Sequence, residues 1–202
     1  PLTHPNPAFD WTDREAMLAF VAERGFAHIF VAADGLLFVV HAIVLATPDQ
    51  RLQFHIARRN RAAAHLPGRP VLLSVADRDG YQSANWYASA NQVPTWHYAA
   101  VEIEGEARPL STEGLVEHLD ALTQRHEGRH SPDQPWTRAR MVPGSFEAML
   151  GGVLGFEVEP TALRGTRKFN QHKSAQDHAA ALAGQTAAGR SDIVSAMEEA
   201  RR

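Results

Sequence analysis

The stretch FAHIFVAADGLLFVVHAIVLA (26–46) leaves a chain few options. Two runs rich in β-branched and aromatic residues flank Asp34-Gly35. An Asp-Gly pair in that position is a strong hairpin signal, because a two-residue turn matching the strand twist needs positive φ at both positions. The longer apolar run, 35–46, is too short to span a bilayer and is interrupted by His41. A lone hairpin is marginal in water, so further strands must cover its apolar face. The sequence supplies them. RLQFHIA (51–57) sets Leu52, Phe54 and Ile56 on one side, and RPVLLSVAD (69–77) reads as a fourth strand. In YAAVEIEG (98–105), Ala99, Val101 and Ile103 alternate with Ala100, Glu102 and Glu104, and Gly105 is expected to end the strand. Many short strands with short connections predict a small barrel or sandwich.

Helical spacing appears between and after these strands. In 12–25, Thr12 is placed to cap, Asp13 and Glu15 fill the first turn, Met17, Phe20 and Val21 share a face, and Gly25 stops the helix. Asn60 is expected to cap a short helix running to Leu66. Ser111 caps a helix with Leu115, Leu119 and Leu122 aligned. SFEAMLGGV (145–153) reads as a short helix and 154–171 as one more strand with Phe156 and Val158 inward. Residues 174–202 read as an Ala-rich helix opened by a Ser174/Asp177 capping pattern. DRDG (77–80) reads as a turn. The Pro-rich start reads as a loose arm without the basic stretch and apolar core of a signal peptide. The class is α+β, with one antiparallel β core and helices at its rim.

Composition narrows the chemistry. The 202 residues suffice to bury a core without staples, and there is no cysteine, hence no disulfide, thiolate nucleophile or Cys-ligated metal. A cytoplasmic setting is expected. The net charge of −3 argues against direct DNA binding, which draws most of its affinity from neutralising phosphates. Two local basic spots, 57–61 and 164–173, suit a small anion better than a duplex. HIARRN (55–60) ends a strand with two arginines before an expected helix start. It reads either as an anion grip or as a solvated basic turn. RKFNQHK (167–173) gathers cations and amides around Phe169, reading as a heterocycle-edge binder or as a polar strand end before the next helix. VPTWHY (93–98) reads as a wall for a flat ligand or as ordinary aromatic stacking between strands. HEGRH (126–130) matches the H-E-x-x-H zinc pattern, but Gly128 weakens the helix it requires and Pro132 follows, so a frayed helix end is expected and no metal site is assigned. His28, His41, His55 and His65 read as structural histidines. No nucleophile with base and orienting partner is visible, so no catalytic residue is named.

Taken in order, FHIARRN, YQSANWYAS, VPTWHYAAVEIEG, LTQRHE and RKFNQHK resemble the PaiB-type family of FMN-binding negative transcriptional regulators. The resemblance implies a split β-barrel, a Greek-key antiparallel barrel with peripheral helices, that forms a homodimer with flavin at the interface. Residues 1–173 would form the barrel domain and 174–202 a helical extension packed on the barrel or on the partner. By resemblance, Arg58, Arg59 and Asn60 hold the FMN phosphate. Trp86, Tyr87, Thr95, Trp96 and His97 shape the ring cleft, and Lys168, Asn170, Gln171 and Lys173 close it. Family members more often carry Asn at the position of His97, KLSQN where this chain has KFNQH, and H-x-A-R-A-N-P on the third strand, so Arg59 and Arg61 are additions. The implied function is flavin redox chemistry, as a flavin-dependent oxidoreductase, or sensing. The alternatives are a transcriptional regulator without turnover, or a split barrel holding haem or another planar ligand.

Overall fold

The computed structural model describes residues 3–201; Pro1 and Leu2 of the expected arm and Arg202 of the expected last helix lie outside the described residues. Eight strands and five α-helices follow in chain order: β1 (Asp10–Trp11), α1 (Arg14–Arg24), β2 (Phe26–Ala33), β3 (Leu36–Ala46), β4 (Leu52–Ala57), β5 (Arg69–Gln82), β6 (Thr95–Pro109), α2 (Thr112–His130), α3 (Ser145–Leu150), β7 (Val153–Val158), β8 (Ala162–Lys168), α4 (Ala175–Ala187) and α5 (Ser191–Glu199). The sheet order is β1-β8-β6-β5-β2-β3-β4-β7, and β6 also pairs with β7. Six strands therefore close a ring. Within it, β2, β3 and β4 form a meander and β5 returns beside β2, which is Greek-key order. No helix among the described residues is long and apolar enough to cross a membrane.

Two compact units divide the chain: residues up to Met17 with 75–102 and 163 onward, and residues 18–74 with 103–162. The second contains the hairpin. Asp34 (φ 54°) and Gly35 (φ 76°) supply its turn, and the register pairs Phe26 with Ile43 and His28 with His41. Its inward residues, among them Ile29, Val44, Leu52, Phe54, Leu73, Ile103 and Phe156, are buried, and the Phe54 and Phe156 rings stack at 5.4 Å. Alternation in β6 is as the sequence indicates, with Ala99, Val101 and Ile103 buried. The strand does not end at Gly105, however. It continues to Pro109, and a Cβ at 105 would lie 2.5 Å from the Glu159 carbonyl oxygen, so glycine marks a close backbone approach rather than a stop.

In the first unit, Phe9 and Trp11 are buried and β1 pairs with β8, so 3–11 is not a loose arm. Apolar content overrides the Pro-rich appearance. DRDG is not a turn but lies inside β5, where Arg78 (φ 52°) makes a local irregularity. Residues 154–171 form two strands, β7 and β8, with Pro160 between them. The C-terminal helix is two, α4 and α5, separated at Gly189 (φ 73°). Ser174 caps α4 as expected, its Oγ accepting from the Asp177 N–H at 3.1 Å.

Candidate functional site

The residues marked by the sequence fall in both units, and each group is described in its own. In the second unit, β4 ends at Ala57 and the chain turns through Arg58, Arg59 and Asn60. The expected helix does not form. Asn60 Oδ1 accepts from Ala62 N–H at 2.9 Å and its carbonyl accepts from Ala63 N–H, but only a three-residue turn, Ala63–His65, follows. The anion grip therefore cannot draw on a helix dipole at Asn60 and rests on arginine alone. Arg58 and Arg59 are exposed. Arg58 Nε donates to the Gly151 carbonyl at 2.7 Å and Nη2 to that of Val153 at 3.4 Å. Two of five guanidinium N–H groups are thus spent holding the side chain in place. Arg58 borders a cleft of about 260 Å³ whose walls include Ser111, Thr112 and Leu115 of α2 and Glu147 of α3.

In the first unit, strand parity sorts the aromatic run. Successive residues of a strand point to opposite faces. Trp96 is half exposed, donates its indole N–H to Asp79 Oδ2 at 2.8 Å and meets Tyr81 edge-on at 6.3 Å. Its neighbour His97 is fully buried. Thr95 begins β6, partly exposed. The structure therefore puts Trp96 and His97 on opposite faces of one strand, where they cannot touch the same side of a flat ligand. His97 stacks on Phe169 at 5.8 Å, so two of the residues that depart from the family pattern pack on each other. His97 Nδ1 lies 3.0 Å from the Lys168 carbonyl oxygen and Nε2 3.0 Å from Gln82 Oε1. Burial pushes its pKa down to about 4, the Lys168 carbonyl pulling the other way. A neutral ring has one proton for two facing oxygens. The carbonyl can only accept, so Nδ1 carries the proton. Gln185 Nε2 completes the cluster, donating to the Tyr81 carbonyl at 2.9 Å and to Gln82 Oε1 at 3.2 Å, while Gln185 Oε1 has no partner.

Tyr87, Asn170 and Lys173 come together. The buried Tyr87 hydroxyl donates to Asn170 Oδ1 at 3.1 Å, and Lys173 Nζ lies 5.1 Å above the Tyr87 ring. Burial raises the Tyr87 pKa. Asn170, only 2% exposed and at φ 63°, leaves its Nδ2 without a partner. Lys173 Nζ donates to Gln92 Oε1 at 2.6 Å. Gln171 is engaged at both ends: Oε1 accepts from Phe169 N–H, and Nε2 donates to the Ala8 and Arg167 carbonyls. It ties the turn to the N-terminal segment and has little left to offer a ligand. Lys168 Nζ lies 5.8 Å over the Phe9 ring. Trp86 packs on α4, where a Cβ at Gly184 would fall 2.4 Å from its Cγ.

Sequence reasoning missed Gln82, Gln185 and His118. Gln185 continues the buried His178/Ala181 face of α4 at helical spacing, and His118 lies between Leu115 and Leu122 on the core face of α2; that periodicity was the available signal. The α2 helix runs through Gly128 to His130 without fraying at HEGRH. Among the described residues no group of three or more His, Asp or Glu is placed to hold a metal ion.

A Greek-key ring closed by one strand pairing with both its neighbours, extended by β8 and β1 and flanked by helices, defines a split-barrel protein. Two solved structures share this fold: the FAD and heme binding protein from Mycobacterium smegmatis (TM-score 0.59, 19% identity, 79% of this chain and 73% of that one) and the flavocytochrome Anf3 from Azotobacter vinelandii (TM-score 0.56, 18% identity, 79% and 69%). Residues 3–162 match the family described as "Putative FMN-binding domain". The chain is also 31% identical over 174 residues to the protease synthase and sporulation protein PAI 2 of Bacillus subtilis (strain 168), covering 84% of this chain and 83% of that protein. The chain belongs to this PaiB-type family of FMN-binding split-barrel proteins. The family match stops at residue 162, so Lys168, Asn170, Gln171 and Lys173 lie beyond it.

Proposed function

We propose that this protein binds FMN as a homodimer in the cytoplasm and uses it for redox chemistry or sensing. The match across residues 3–162 carries the reading. The residues present suit the group. Arg58, pre-positioned on two carbonyls, offers its remaining N–H donors to a phosphate in fork geometry, and Arg59 and Asn60 adjoin it. The orphaned Asn170 Nδ2 is a buried donor suited to a carbonyl oxygen at a heterocycle's edge, and Tyr87 fixes the amide that carries it. Lys173 and Lys168 supply positive charge, Trp86 adjoins Tyr87, Thr95 and Trp96 open β6, and the buried His97 holds the Lys168 backbone. FMN, when bound, supplies reversible electron transfer. The chain's part is binding, orientation and electrostatics.

The dimer reading is supported by the outer face of the β2–β3 hairpin. Phe30 is 41% exposed, Leu37 81% and Ile43 39%, on one face of the hairpin with the exposed His28–His41 pair between them, and exposed apolar residues of this kind mark interaction surfaces. A second reading, control of gene expression without turnover, comes from the regulator label of the PaiB-type family that the sequence resembles; retardation of promoter DNA in a gel shift that weakens with salt would support it, against the net charge of −3.

The test is to denature purified protein and identify the released small molecule. FMN is expected, and protein that neither releases nor takes up flavin overturns the reading. Arg58→Ala should weaken FMN binding by about 1.5–3 kcal/mol, the worth of a charge-assisted hydrogen bond. Unchanged affinity would move the phosphate site away from this turn.

A further inference from the structure

One pair of histidines, His118 buried and His55 half-buried, lies outside the proposed binding residues. His55 on β4 and His118 on α2 meet with 3.0 Å between His55 Nδ1 and His118 Nε2, their ring centroids 5.2 Å apart. His118 is 1% exposed, and its Nδ1 has no partner. The helix reaches this depth because Gly155, opposite His55 in the β4–β7 register, leaves room: a Cβ there would come 2.9 Å from Leu115 Cδ1 and 3.0 Å from Leu110 Cδ1. Thus α2 lies on the sheet over a glycine, with the histidine pair beside it.

The contact is favoured when both rings are neutral. Two neutral imidazoles satisfy the contact, one ring donating and the other accepting. A proton added to His118 places a charge in the interior and puts a hydrogen on Nδ1, which has no acceptor, while one added to the half-buried His55 sets a cation against the buried His118 ring. A second sets two cations donor to donor. Nothing nearby compensates. The charged groups there, Arg51 just before β4 and Glu157 on β7, are paired with each other at 2.7 Å, and Glu157 also takes Gln53 at 2.9 Å. On α2, Asp120 is held by Arg138 at 3.1 Å and Glu117 is exposed. Burial holds both histidines below the usual value, His118 at about 4 with His55 as its second influence.

We infer that the His55–His118 contact is an acid-released clasp, holding α2 on β4 at neutral pH and freeing the helix as the histidines gain protons, so that the Arg58 cleft opens. The link to the cleft is direct. Ser111, Thr112 and Leu115, at the N-terminal end of α2, form part of its wall. Release of the helix removes that wall. Release of flavin along with it rests on the assignment of the phosphate to Arg58; the helix movement does not. The sign follows from the depressed folded values. Docking is fully stabilised above the unfolded histidine pKa of about 6.5 and weakens as pH falls toward 4.

The experiment is amide hydrogen exchange on the full chain, corrected for intrinsic rates, from about pH 7.5 to about pH 4.5. Protection across 112–130 should fall at least about tenfold further than protection in β2 and β3 over that range. His118→Gln and His55→Gln each remove an ionisable ring and should flatten the difference; if one fails to fold, the other and the wild type decide. Protection of 112–130 that tracks β2 and β3 throughout overturns the clasp, as does an undiminished pH dependence in a folded Gln variant. Flavin fluorescence on the same samples separates the two readings. Flavin retained while α2 opens removes the phosphate from Arg58 and leaves the clasp standing.

Discussion

Gly184 and Gly128 both stand inside helices, α4 and α2, and alanine at the two positions should act in opposite directions. On propensity alone each substitution is favourable by up to about 0.8–1 kcal/mol, since glycine surrenders the most backbone freedom in a helix. The surroundings decide the outcome. At Gly128 nothing lies within 4 Å of the added Cβ, so Gly128→Ala should stabilise by about 0.5–1 kcal/mol. At Gly184 the Cβ would meet Trp86 at 2.4 Å (Cγ), 2.6 Å (Cδ2) and 2.7 Å (Cβ), over 1 Å inside the roughly 3.5–4 Å of a good carbon contact. These atoms are the root of a rigid indole, so no side-chain rotation relieves them. Either α4 or the 84–86 turn must move. Overpacking of this kind costs about 1–3 kcal/mol, which outweighs the propensity gain. Urea denaturation of both variants, read as midpoint shifts at unchanged slope, gives the comparison. A net difference of about 2 kcal/mol between them is expected. If Gly184→Ala proves as stabilising as Gly128→Ala, the packing of Trp86 on α4 is not as described. Because Trp86 belongs to the proposed ring-binding set, Gly184→Ala should also lower flavin affinity while Gly128→Ala leaves it unchanged.

Two further outcomes follow from buried polar groups. His97, held neutral by burial with a folded pKa of about 4, contributes stability that is complete above pH 6.5 and is lost as pH falls toward 4, amounting to about 3 kcal/mol; His97→Asn should remove that part of the acid sensitivity in pH-dependent melts, and an unchanged profile would mean that burial does not lower the ring's pKa in the fold. Asp177 accepts from the Ser89 N–H and Oγ, both at 2.9 Å, and from Ser174 Oγ at 3.1 Å; the Ser89 N–H is the first of the contacts that hold its pKa low, so the anchor is present at neutral pH and lost only below the ordinary carboxylate range. Asp177→Asn should speed proteolytic cleavage within 88–92 at neutral pH, and cleavage no faster than in wild type would show that the loop is held by other contacts.

The strands were legible where one face is buried and the other wet. β4 and the 99–104 part of β6 could be read from alternation because that pattern is the imprint of a half-buried strand. The hairpin turn was legible because Asp34 and Gly35 both need positive φ. What could not be read was set by distant parts of the chain. Gly105 looks like a strand end until Glu159 is found 2.5 Å from its missing Cβ, and DRDG looks like a turn because nothing local shows that β5 continues through it. Asn60 has the right chemistry to cap a helix, yet the following RAAAHL forms only a three-residue turn. For the site, residue type was legible and direction was not. Arg58 and Asn170 could be picked out by chemistry, whereas the engagement of both ends of Gln171 by backbone groups could not.

The parity of β6 bears most on how the ring-rich segment can work. Trp96 and His97 are adjacent in sequence, which made them look like one aromatic wall, but a strand turns neighbours to opposite sides. His97 belongs with Gln82, Gln185, Phe169 and the Lys168 carbonyl in a buried cluster whose hydrogen-bond sites do not all find partners. Trp96 belongs with Asp79 and Tyr81 on an exposed face. A planar heterocycle can lie against the exposed indole without disturbing any buried bond. To lie against the imidazole it must displace Phe169, which is 2% exposed. For the proposed FMN site the two faces would therefore carry different parts of the task. The exposed side offers contact area, and the buried side fixes the 168–173 turn that presents the Asn170 amide. His97 on this view acts through the backbone of Lys168 as a positioning residue.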